Sequence, residues 1–98
     1  MTIEKMLNAT ELTITLAGRL DTTTAPQLEE EIKQNLAGVE KLILDFTDLE
    51  YLSSAGLRVL LGAQKAMNKQ GRMILKNVAE GVMEVFEMTG LADLLTIE

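Results

Sequence analysis

The chain has 98 residues, 47% of them hydrophobic, and its 9 Lys and Arg against 15 Asp and Glu leave a formal net charge of −6. With no Cys or His it has no disulfide, thiolate or imidazole metal site, or histidine-based triad, and an acidic surface with one Tyr and two Phe offers nucleic acid neither counter-charge nor a stacking platform. The first residues lack a signal-peptide pattern and no apolar run approaches the roughly 20 residues of a membrane span, so one cytoplasmic domain over residues 1–98 is expected, without membrane contact.

Ile3 to Asn8 and Glu11 to Leu20 form an expected strand pair about a turn at Asn8-Ala9-Thr10. Leu12, Ile14 and Leu16 alternate with Thr13 and Thr15, the pattern of a half-buried strand. Thr24-Ala25-Pro26-Gln27 has the form of a helix start, with threonine three places before glutamine as in a capping box and proline in the first turn. Glu29, Glu30 and Glu31 lie near that start, where the helix dipole favours acids; Ala25, Leu28, Ile32 and Leu36 make the buried stripe, and Gly38 supplies the stop. Lys41 to Phe46 is a nearly continuous apolar run, as for a central strand covered on both faces, and Thr47 to Ser53 is expected to be a loop. A second helix runs from Ser54 to Lys69 and closes at Gln70-Gly71. Arg72 to Lys76 is a strand, Val78 to Met88 a third helix capped by Gly90, and Leu91 to Leu95 leads to a short last strand near Thr96-Ile97. Alternating strands and helices make an α/β fold with a partly parallel sheet.

At helical spacing Leu57, Leu60, Leu61, Ala63 and Met67 share the core arc of the second helix, and Arg58, Lys65 and Lys69 share a basic one. Between them runs a strip of small residues, Ala55, Val59, Gly62 and Ala66. It is either the bed of another helix of the domain or a docking groove for a partner. Gly62 costs about 1 kcal/mol relative to alanine in a helix interior, which points to a close approach there.

Ser53 and Ser54 are the only serines. At a helix start a serine oxygen accepts from a first-turn N–H, a cap contributing about 1 kcal/mol. The same place suits a phosphate, because free N–H groups and the positive dipole end accept a dianion at a gain of roughly 0.3–1 kcal/mol. Burying an unpaired charge under a partner costs several kcal/mol instead. Phosphate there spares the fold and removes an interface.

Three ordered segments carry a resemblance: Gly18-Arg19-Leu20-Asp21-Thr22-Thr23-Thr24-Ala25, Asp48 to Gly62 with Ser53-Ser54-Ala55-Gly56-Leu57 at its centre, and Val85-Phe86-Glu87-Met88-Thr89-Gly90-Leu91. Together the chain resembles STAS domains of the anti-sigma factor antagonist type. The resemblance implies a single STAS-like domain with a four- to five-stranded mixed sheet and three to four helices mostly on one face. It implies phosphorylation at Ser54, two residues before Gly56, with Ser53 as a rival acceptor and Asp21, Thr24, Ala55 and Gly56 around it. The implied partners are a serine-kinase anti-sigma factor and a metal-dependent protein phosphatase, with no direct contact with the sigma factor and no cofactor expected; the groove and basic edge of the second helix make Arg58, Gly62 and Lys65 the expected partner-binding residues. The family often has aspartate before the phosphoserine, and this chain has Ser53. The alternative is a STAS interaction or ligand-sensing module of another signalling or transport complex.

No enzyme is expected. Asp45, Asp48 and Glu50 lack the glycine and terminal glutamate of a calcium loop. Asp45 is expected to end a strand, with the other two in a solvated turn. Asp21 is also a plain turn former before three threonines, and Met83 and Met88 at helical spacing are expected in the core.

Overall fold

A computed structural model describes every residue, Met1–Glu98. Strands β1 (Thr2–Asn8) and β2 (Glu11–Leu20) form a hairpin, followed by α1 (Ala25–Asn35), β3 (Lys41–Leu52), α2 (Ser54–Asn68), β4 (Arg72–Lys76) and α3 (Glu80–Met88). The sheet order is β1-β2-β3-β4, with β1 antiparallel to β2 and the other pairs parallel. Beyond α3 a single 3-10 turn (Leu91–Asp93) leads Ile97 into one parallel bridge with Leu75, so the expected last strand is a single-residue contact.

Alternation decides the layers. Ile14 and Leu16 of β2, Leu42 and Leu44 of β3 and Leu75 of β4 point to one face, where they meet Leu28 of α1, Leu60 and Met67 of α2 and Phe86 of α3, all fully buried. Each such side chain contributes about 1.5–3 kcal/mol on burial. All three helices feed this one core. The other face carries the paired row Met6, Thr13, Ile43 and Ile74, and the last two are buried outside the helical core. Helices cover one face of β3, yet Leu42, Ile43 and Leu44 are all buried, so the apolar run is out of solvent on both faces as expected.

The segment expected as a loop, Thr47 to Ser53, is mostly strand, because β3 continues to Leu52. Its polar residues Thr47, Asp48 and Glu50 face solvent while Leu49 and Leu52 stay buried. Irregularities between Thr15 and Ala17 and between Gly18 and Arg19 let β2 follow it with its register shifted. Asp45 accordingly lies within the strand rather than at its end, and the carboxylates of Asp45, Asp48 and Glu50 do not converge. Two further expectations change: the first turn of α1 holds no acidic residue, and Met88 is 86% exposed. Glu29 and Glu31 instead pair with Lys33 at 3.5 Å and Lys5 at 2.7 Å.

The strip of small residues on α2 does face α1, but Gly62 permits no close approach: nothing lies within 4 Å of a Cβ built there. Its glycine only weakens the helix. Gly62→Ala is expected to stabilise the fold by about 0.5–1 kcal/mol, seen as a raised midpoint in thermal melts. An unchanged or lower midpoint would refute that.

Candidate functional site

The site lies where β2 and β3 end together. Leu20 pairs with Leu52, and the Ser53 N–H donates to the Leu20 carbonyl at 2.9 Å, stitching the chain leaving one strand to the chain leaving the other. Asp21 and Ser54 are the residues that follow these pairs. Gly56 explains how α2 seats there: a Cβ would stand 2.7 Å from Leu20 Cγ and 2.8 Å from Leu52 Cδ1. The first turn rests directly on the two leucines.

The two serines part company at this point. Ser53 is half-buried and extended, with φ −97° and ψ 172°, and its Oγ accepts from the Gly56 N–H at 3.3 Å. It is the N-cap. Ser54 is the first helical residue, exposed, with its hydroxyl uncommitted.

Thr24 holds the N-cap position of α1, but the expected capping box does not form. The Thr24 hydroxyl is engaged upstream, accepting from the Asp21 N–H at 2.9 Å and donating to the Arg19 carbonyl at 2.7 Å. The Asp21 carboxylate ties the turn that leads into α1, its Oδ1 accepting from the N–H groups of Thr23 at 3.0 Å and Thr24 at 3.1 Å. The Thr24 N–H above all, opposed by desolvation and helped by the Thr23 N–H, the Thr24 hydroxyl and Arg19, holds this carboxyl below its usual range. Asp21 thus shapes its own turn, and no hydrogen bond links it to Ser54. Arg19 and Tyr51 had no signal in the sequence. Paired across β2 and β3, they stack with the guanidinium 4.1 Å from the ring centroid, and Arg19 Nε lies 3.8 Å from Asp21 Oδ2.

Between α1 and α2 the surface is hollowed twice. Thr22, Pro26 and Glu29 face Ala55, Arg58 and Val59 across one cleft. Ile32 and Leu36 face Val59, Gly62 and Ala66 across an adjoining apolar groove. Arg58 and Gly62 therefore line neighbouring hollows, whereas Lys65 is exposed and lines neither.

A second held carboxylate lies away from these hollows. Asp45 Oδ1 accepts from Asn77 Nδ2 at 3.0 Å and from the Thr47 hydroxyl at 2.6 Å, and these bonds, Asn77 first, hold the acid below its usual range. For both aspartates the folded state binds the proton less tightly than the unfolded one. Their stabilisation is therefore fully present above the ordinary value of 3.8 and lost as pH falls through the lowered one. Asp21→Asn and Asp45→Asn are expected to melt below the parent at neutral pH and to converge on it at a strongly acid pH, below the lowered values. An equal gap at both pH values would exclude a charge origin.

A mixed four-stranded sheet backed on one face by helices, with a serine-glycine helix start at the strand tips, defines a STAS domain. The chain belongs to the STAS domain family, whose model matches residues 2–98. It is 35% identical to the anti-sigma-B factor antagonist of Listeria monocytogenes over 88 residues, 87% of this chain and 76% of that protein. It is 32% identical to the anti-sigma-B factor antagonist of Bacillus subtilis over 91 residues, 92% of this chain and 84% of that one. Among solved structures it is similar to the Bacillus cell fate determinant SpoIIAA in its phosphorylated form, at 25% identity and a TM-score of 0.77, covering 99% of this chain and 91% of that one. No helix is long and apolar enough to cross a membrane.

Proposed function

We propose that the chain is an anti-sigma factor antagonist acting in the cytoplasm as a binding switch, not as an enzyme. Unphosphorylated, it binds a serine-kinase anti-sigma factor and so frees the sigma factor without touching it. The kinase returns it to the inactive form at Ser54: the serine Oγ loses its proton and bonds to the γ-phosphorus of ATP as the bond to the departing ADP breaks. A metal-dependent phosphatase hydrolyses the ester. The observation that carries this reading is the division of labour between the serines, with Ser53 held as the cap and Ser54 exposed.

Serine and aspartate cap a helix about equally well, so Ser53 fills the structural role of the family's usual aspartate. What changes is a charge that the kinase meets. Arg58 and Gly62, in the two hollows between α1 and α2, and Lys65 on the same helix belong to the docking surface in this reading. The test is incubation with the kinase encoded nearest to this chain's gene and ATP, followed by phosphopeptide mapping. Phosphate is expected on Ser54 and absent from Ser54→Ala. Phosphate on Ser53, or persisting in Ser54→Ala, overturns the assignment.

A further inference from the structure

We infer that a phosphate on Ser54 is grasped from within the chain by Arg58, so that modification both adds charge at the start of α2 and withdraws a guanidinium from the docking surface. This rests on Ser54 being the modified residue. Ser54 and Arg58 stand four residues apart in the unbroken helix Ser54–Asn68, and both are exposed. That spacing sets their Cβ atoms about 5–6 Å apart, and an acid N-terminal to a base is the favoured order.

Nothing competes for Arg58. It forms no ion pair, and the acid facing it across the cleft, Glu29, is held by Lys33 at 3.5 Å. The other arginine at the strand tips is occupied, Arg19 lying 3.8 Å from Asp21 and 4.1 Å over Tyr51. The first-turn amides are also partly committed. Gly56 N–H donates to Ser53 Oγ and Leu57 N–H to the Ser53 carbonyl. A phosphate brings three strong acceptor oxygens, and the planar fork of Arg58 is the strong donor left to meet two of them.

The test installs phosphoserine at position 54 during translation, so its result does not depend on which serine a kinase selects; kinase mapping can fail on its own. The phosphate is then titrated by phosphorus NMR in the otherwise unaltered chain and in Arg58→Ala and Arg19→Ala variants. Removing Arg58 is expected to move the titration midpoint up by about 0.3 pH or more, whereas removing Arg19 leaves it in place. A midpoint indifferent to Arg58, or one that responds more to Arg19, overturns the inference.

Discussion

Ser54→Asp is expected to weaken binding to the kinase partner by about 100-fold or more while leaving the fold at least as stable as before. Two magnitudes decide this. At the exposed start of α2, a carboxylate gains roughly 0.3–1 kcal/mol from the dipole, and nothing in the chain crowds it. Pressed under a partner, the same charge costs several kcal/mol, and each 1.4 kcal/mol is tenfold in affinity. Ser54→Ala removes only a free hydroxyl and is expected to bind nearly as the parent does. Calorimetric titration of the three proteins, with thermal melts beside it, separates the effects. Equal affinity of the aspartate and alanine forms would defeat the charge argument.

The largest loss of stability is expected from Gly71→Ala. Gly71 closes the turn between α2 and β4, its N–H donating to the Met67 carbonyl at 2.7 Å. A Cβ at this position would lie 1.8 Å from the Glu40 carbonyl oxygen, which accepts the Arg72 N–H at 3.0 Å as β4 begins. Backbone cannot rotate aside as a side chain can. The neighbourhood is also tied down by Gln70, whose Nε2 donates to the carbonyls of Leu36 at 2.7 Å and Val39 at 2.6 Å. A cost of about 3 kcal/mol or more is expected, read from urea unfolding. At Gly56 the obstacles are two leucine side chains, which can shift, so alanine there should cost less. A Gly71→Ala variant as stable as Gly56→Ala would contradict this ranking.

The elements rich in alternating or helical periodicity were legible, and so was the serine-glycine helix start. What escaped reading depends on partners far along the chain. Thr47 to Glu50 look like a loop because three of the four are polar; only pairing with a bulged β2 makes that polarity the solvent face of a strand. Thr24 and Gln27 match a capping box locally, yet Asp21 takes the Thr24 N–H and the Gln27 N–H donates to the Thr24 carbonyl instead. The sequence places Gly62 inside a helix and Gly71 at its close, and only the fold shows that one meets open space and the other a carbonyl. Arg19 and Tyr51 meet through a register that two irregularities have shifted, which no spacing rule supplies.

The free edge of β1 bears on self-association. Were two copies to pair antiparallel along this edge with their helical layers on the same side, residues of like parity would stand opposite. The register engaging all seven residues, Thr2–Asn8, is centred on Lys5 and sets it against its own copy. Like charges directly opposed are destabilising in a sheet, and Lys5 is already drawn to Glu31. The longest cross-molecular ladder open to this strand is thus the one its central charge resists, as in other sheets that guard their edges with lysine.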